Sequence, residues 1–198
     1  MKTDRAAARQ THRRASRPVV SRRQIAERVE SLAQRITEVY RGKELTVLAV
    51  LTGSVVFLAD LIRRLAIPVR LEVAQVSSYP QEATSSRGMR FTLPLTASLA
   101  GRHVLILDDI LDSGRTLSAL VRKVESLRPA SIRTCVLLRK RRADLPDRPE
   151  PDFLGFEVPN EFVVGYGLDF NNLYRNLPDV RVLERAAACA DAGAREKS

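Results

Sequence analysis

The sequence has no tryptophan, and its 198 residues include only two cysteines and two histidines. Cys135 lies in an apolar run and Cys189 in an alanine-rich tail, so the chain offers neither a disulfide framework nor a Cys/His zinc cluster. His12 falls near the N-terminus and His103 just ahead of an apolar stretch, which argues against histidine-based catalysis. No apolar run reaches the roughly 18 to 20 residues that a membrane span needs. The first residues also lack the apolar core of a secretory signal. A protein of the reducing cytoplasm, with no membrane partner, is the expectation. Aromatic residues make up only 5%, yet the apolar share of 44% is ordinary for one globular domain with a sizeable core.

Acidic residues are scarce at the N-terminus. Residues 1–24 carry Lys2 and seven arginines against the single acid Asp4, a net +7 out of +10 for the whole chain. The basicity therefore belongs mostly to a segment without a core-forming pattern. We read residues 1–20 as a disordered basic tail, 21–184 as the domain and 185–198 as a C-terminal tail. Nucleic-acid contact is not expected of the body and is left to the tail, whose Arg-rich, acid-poor composition also resembles a transit peptide.

From Ser21 onward periodicity takes over. Ile25, Val29, Leu32, Ile36 and Val39 recur at spacings of three and four, which predicts an amphipathic helix with Ser21 as N-cap and Gly42 past its end. "ELTVLAVL" (Glu44–Leu51) reads as a buried strand, and "VVFLADLIRRLAI" (55–67) as a helix stopped by Pro68. "VRLEVAQV" (Val69–Val76) reads as a second strand. Residues 77–90 are polar and aperiodic, long enough for a functional lid or a disordered insertion. "HVLILDD" (His103–Asp109) and "SIRTCVLLRK" (Ser131–Lys140) predict two more strands around a helix, "RTLSALVRKVESL" (115–127). A Pro- and charge-rich loop (141–151) leads to short strand-like pieces, "FLGFEV", "FVVGYGL" and "VRVLE". Strand–helix alternation with apolar strands indicates an α/β domain built on a mostly parallel twisted sheet flanked by helices. Ligands in such folds sit beyond the carboxyl ends of the strands, where "TGS", "DDILDSGRT" and "RK" fall.

In "DSGRT" (Asp112–Thr116), a glycine between a strand and a helix lets backbone N–H groups approach an anion, and Ser113 and Thr116 add uncharged donors. A phosphate monoester suits that turn. It is neither a Gly-Lys-[Ser/Thr] loop nor a Gly-x-Gly-x-x-Gly fingerprint. Asp108 and Asp109, just upstream, are acceptors for sugar hydroxyls or for Mg2+ and its waters. Phosphate cradle and diol clamp together match a ribose 5-phosphate. Taken singly, the acids would read as a solvated strand end.

"VLILDDILDSGRTL" resembles the 5-phosphoribosyl pyrophosphate (PRPP) motif of the type I phosphoribosyltransferases. "LTGSVVFLADL", "SSY" and "PDFLGFEVPNEFVVGYGLDFNNLYRNLP" are similar to the hypoxanthine-guanine phosphoribosyltransferases, over about residues 20–184. The resemblance implies the type I phosphoribosyltransferase fold, with a small hood and a long flexible active-site loop. It implies purine salvage: Mg2+-assisted transfer of the phosphoribosyl group from PRPP to hypoxanthine or guanine, giving IMP or GMP and pyrophosphate. A homodimer or homotetramer is implied as well.

By the same resemblance, Asp108, Asp109, Asp112, Ser113, Gly114, Arg115 and Thr116 hold PRPP, and Asp112 is the general acid/base at purine N7. An aspartate with an ordinary pKa of about 4 would do this poorly, so its surroundings are expected to raise it. Leu51, Thr52, Gly53, Ser54 and Arg175 face pyrophosphate. Lys140 donates to the purine 6-oxo group, Phe162 stacks on the base, and Val163 supplies main-chain contacts. Asp169 joins Asp108 and Asp109 as a metal ligand beside the purine site, and Ser78 and Tyr79 open the lid. Without the resemblance, Lys140 would read as a strand-end lysine and Phe162 as core. Two positions depart from the family: Asp108 stands where Glu is usual, and Thr52 where Lys or Arg is usual, which leaves backbone amides to bind pyrophosphate. A regulatory RNA-binding protein on the same fold is the alternative. It would need a basic face on the body and has no use for Lys140, Phe162 and Asp169. A third reading keeps the enzyme and gives the basic tail an acidic partner.

Overall fold

The computed structural model describes residues 15–78, 89–92 and 99–183. Its main sheet has six strands: β2 (Leu45–Leu51), β3 (Val69–Ser78), β4 (Met89–Thr92), β5 (His103–Leu111), β6 (Ser131–Lys140) and β7 (Phe153–Val158). Their spatial order is β4-β3-β2-β5-β6-β7, parallel from β3 to β7, with β4 antiparallel on the edge. Alternation along the central strands splits the core in two. Val47, Ala49, Leu105, Leu107, Cys135 and Leu137 pack on one face with helices α1 (Arg22–Val39) and α2 (Val55–Ile62). Leu48, Val50, Val104, Ile106 and Val136 pack on the other with α3 (Arg115–Glu125). Both faces are covered, which is why these strands read as continuous apolar runs.

The predicted N-cap is present as a capping box: Ser21 Oγ accepts from the Gln24 amide and Gln24 accepts from the Ser21 amide. Ile25, Val29, Leu32 and Ile36 are buried, as their spacing requires. The second helix ends at Ile62 instead of running to Ile67. Arg64 Nη1 there bonds the Asp60 carbonyl, and the Ala66 amide bonds Thr37 Oγ1 on α1.

A second, three-stranded sheet of order β1-β9-β8 forms the hood. It comprises β1 (Ala15–Val20), β8 (Val163–Val164) and β9 (Val180–Leu183). The expected tail over residues 1–20 is corrected here: Ala15–Val20 pair antiparallel with β9, from Ala15↔Leu183 to Val20↔Val180. The segment has no alternation of its own and is held by its partner strand and by burial of Val20. Residues 1–14 and 184–198 lie outside the described residues. The ends of the expected lid are also strand, since Ser78 pairs with Met89. Tyr79 and the rest of that segment lie outside the described residues.

Candidate active site

Parallel register brings the carboxyl ends of β2, β5 and β6 together, with Ala49 opposite Leu107 and Leu111 opposite Arg139. The chemistry-bearing residues collect at those ends. Asp108 is 6% exposed near the carboxyl end of β5, and Asp109 is partly buried beside it. The Asp109 amide donates to Asp108 Oδ1 at 3.0 Å, and the Ile110 amide to Asp109 Oδ1 at 2.9 Å. Burial pushes both carboxyls above their ordinary range, and the neighbouring Asp109 pushes Asp108 further. Two carboxyls crowded at one strand end offer acceptors for a cation or for hydroxyl donors.

Gly114 follows in the left-handed region at φ +78° and forms the N-cap of α3. It has no side chain to cap the helix, so the first turn opens onto the Asp112–Thr116 turn as an anion cradle. Ser113 is exposed, and its Oγ accepts from the Arg115 amide at 3.4 Å. Arg115 is exposed and Thr116 half-buried on the first turn of the helix.

The Leu51–Ser54 loop meets this strand end from β2, and its Leu51–Thr52 peptide is cis. A Cβ at Gly53 would overlap the Asp109 carboxylate, and one at Gly167 would overlap the Gly53 carbonyl. Glycine at these positions lets the loop, the acid pair and the hood turn lie against one another. Arg175 ties the third side: its guanidinium bonds the Gly167 carbonyl at 2.6 Å and Asp169 Oδ1 at 2.8 Å. The same arginine also draws the Asp109 carboxyl down, against burial. Asp169 in turn accepts from the Asn172 amide. Gly53 and Arg175 therefore link the Asp109 end of β5 to Asp169 in the hood turn. Thr52 is exposed on the loop. Ser54 faces inward: it is fully buried and donates to the Val50 carbonyl at 2.5 Å, so its hydroxyl shapes the loop.

On the opposite side Lys140 Nζ donates to Asp112 Oδ2 at 2.9 Å. Arg142 Nη1 donates to Asp112 Oδ1 at 2.7 Å and shares its guanidinium with Asp144. This corrects the expectation for Asp112. Partial burial pushes its carboxyl up, but the Lys140 hydrogen bond and the Lys140 and Arg142 charges outweigh it and hold it below the usual carboxylate range. Phe162 is 50% exposed, edge-on to Phe170 at 5.4 Å between ring centres, and so is not core. Val163 is buried in β8, and the Phe162 carbonyl accepts from the Leu183 amide.

Arg142, Arg148 and Pro149 were not anticipated. Arg148 bonds the carbonyls of Asp112 and Lys140, and the Pro149 ring packs on Gly114. All three come from the loop at 141–151, whose composition reads as solvated linker and carries no sequence signal for a site.

The phosphoribosyl transferase domain family matches residues 19–171. The hypoxanthine-guanine phosphoribosyltransferase of Mycobacterium bovis is 41% identical over 167 residues, 81% of this chain and 82% of its own length. That of Dictyostelium discoideum is 41% identical over 168 residues, 82% of this chain and 93% of its own length. A solved hypoxanthine phosphoribosyltransferase structure from Trypanosoma cruzi superposes with a TM-score of 0.83 at 37% identity, covering 90% of this chain and 96% of that one. The family match, the relatives and the fold agree, and the chain belongs to the hypoxanthine-guanine phosphoribosyltransferase family of type I phosphoribosyltransferases.

Proposed function

We propose that this protein transfers the 5-phosphoribosyl group of PRPP to N9 of hypoxanthine or guanine, releasing pyrophosphate and IMP or GMP. The observation that carries the assignment of roles is the Asp112–Lys140 contact, one acid and one donor-only cation presented side by side at the mouth of the phosphate cradle. The 5-phosphate lies in the turn from Asp112 to Thr116, on backbone amides and the Ser113 and Thr116 hydroxyls. Asp108 and Asp109 accept from the ribose hydroxyls. The Leu51–Ser54 loop and Arg175 hold pyrophosphate, and Phe162 stacks on the purine above the main chain of Val163.

N9 of the base forms its bond to the ribose carbon as the bond to pyrophosphate breaks. Positive charge builds on the sugar meanwhile, facing the acids of β5. The base enters with its imidazole proton on N7. Bond formation at N9 makes that proton acidic, and Asp112 accepts it. A carboxylate held below its usual range is ionised and ready for this, and the gain in acidity of the base makes a strong base unnecessary. Lys140 turns from Asp112 to the 6-oxo oxygen, and because it has donors only it disfavours the amino group of adenine.

The residues present fit Mg2+. The Asp109 carboxylate lies against Gly53 and feels the Arg175 charge, Asp169 is ion-paired with the same Arg175, and Mg2+ characteristically takes one or two carboxylates with substrate phosphates and water. Among the described residues no group of three or more acidic, His or Cys side chains forms a ready-made metal cage. When bound, Mg2+ would neutralise charge on the departing pyrophosphate. Asp108 is the third candidate ligand.

No helix among the described residues is long and apolar enough to cross a membrane. The buried free thiol of Cys135 suits the reducing cytoplasm we propose as its location. Assembly as a homodimer or homotetramer belongs to the same reading and is measurable by light scattering. No finding favours the RNA-binding alternative. The direct test of the reaction is incubation with PRPP, Mg2+ and each free base in turn. IMP and GMP should form with pyrophosphate, and AMP should not; absence of nucleotide from every 6-oxopurine would refute the reading.

A further inference from the structure

The inter-strand ladder between β5 and β6 ends at Leu111↔Arg139. Asp112 and Lys140 lie one residue beyond it. Lys140 is still secured on the β7 side, opposite Val158, but toward β5 no ladder pair continues. The place of that pair is taken by Arg148. Its Nη1 donates to the Asp112 carbonyl at 2.9 Å and to the Lys140 carbonyl at 2.7 Å, so one nitrogen joins the two main chains. Among the described residues the buried Nε of Arg148 finds no hydrogen-bond partner, so the guanidinium's hydrogen bonds to these two carbonyls come from Nη1 alone. Next to it the Pro149 ring rests on Gly114 and fixes where the arginine enters.

N7 and O6 of a 6-oxopurine lie on one edge of the base, so the groups that read them must keep a set separation. From these contacts we infer that Arg148 is a positioning residue for base selection: by holding the Asp112 and Lys140 carbonyls on a single nitrogen, it sets the spacing at which those side chains meet N7 and O6. The inference rests on the proposed purine reading. Arg148 acts through the two residues it holds, since its Nη1 bonds end on their carbonyls.

Because both bonds come from one nitrogen, a lysine ammonium, with three donors, can replace them, whereas a methionine of similar length cannot. The experiment compares wild type, Arg148→Lys and Arg148→Met for melting temperature, kcat, KM for hypoxanthine and KM for PRPP. Arg148→Met should raise KM for hypoxanthine by about tenfold or more, the scale of a small misplacement of reacting groups. It should leave KM for PRPP within about twofold, because the phosphate cradle beyond Asp112 keeps its own support on α3. Arg148→Lys should recover most of the loss. An unchanged KM for hypoxanthine in Arg148→Met would overturn the inference. So would an equal rise in both KM values, or a lysine variant no better than methionine. If Arg148→Met does not fold, Arg148→Gln is read in its place. Loss of fold in both would make Arg148 a residue of the fold and overturn the inference as well. A wild type that forms no IMP would instead sink the purine reading on which it rests.

Discussion

Lys140 Nζ lies 2.9 Å from Asp112 Oδ2, although 28 residues of chain separate them. Parallel pairing of β5 with β6 ends both strands side by side and makes neighbours of an acid and a base. Replacing the carboxylate by an amide of the same shape removes the proton acceptor together with the charge that pairs with Lys140 and Arg142. Asp112→Asn should therefore lower turnover by about 100-fold or more, the usual scale for a general acid/base. Steady-state kinetics with hypoxanthine check it, and turnover near wild type would remove Asp112 from its role.

A second expectation concerns pH. The Asp112 carboxyl, pushed up by burial but pulled down further by Lys140 and Arg142, is ionised in the free protein until the pH falls below the ordinary carboxylate range. The acidic limb of kcat/KM for the base should lie there. A depressed carboxylate also contributes stability that is present above its unfolded pKa and lost as pH falls through the folded one. Arg142→Ala removes one of the lowering charges and should move the acidic limb toward higher pH. A limb that stays in place would show that Arg142 does not govern Asp112.

The overlap between a Cβ at Gly53 and the Asp109 carboxylate gives a third. Gly53→Ala leaves both hydrophobic cores untouched but must displace Asp109 or the loop. Melting temperature should change little, while kcat/KM for PRPP should fall by roughly 10- to 100-fold, as small misplacements near a reaction do. Activity equal to wild type would mean that the acid pair and the loop move apart freely.

Thr52 is exposed on a loop that we assign to pyrophosphate, where the family usually carries a basic side chain. Thr52→Lys adds one solvent-facing charge, and such pairs contribute about 0.2–1 kcal/mol. KM for PRPP should fall by about 1.4- to fivefold with little change in kcat. A rise would indicate that the backbone amides alone set the anion's position.

Much of the fold was legible because the strands carry their own evidence. Ser131–Lys140 is a strand from first to last residue as its apolar run predicts, and Ser21 caps the helix that it was expected to cap. What depended on distant partners was not legible. Ala15–Val20 has no alternation, and its strand exists because β9 offers an edge. The acids within β5 and the turn that follows it were readable as a local motif. The lowered Asp112 was not, since Arg142 comes from a loop whose prolines and mixed charges look like solvated linker. Resemblance, not pattern, pointed to Lys140 and Phe162, because a strand-end lysine and an aromatic in an apolar run are common in any α/β protein.

The central claim is that Lys140 and Asp112 together read the 6-oxo edge of the purine. Its most direct test is kcat/KM for hypoxanthine and for adenine, with PRPP and Mg2+, in wild type and in Lys140→Gln. Glutamine offers both a donor and an acceptor, so it no longer excludes an amino group. The wild type should use hypoxanthine and reject adenine. The variant should lose about 10- to 100-fold on hypoxanthine, the scale of a charged hydrogen bond, and the preference for hypoxanthine over adenine should narrow. An unchanged rate on hypoxanthine with adenine still excluded would contradict it.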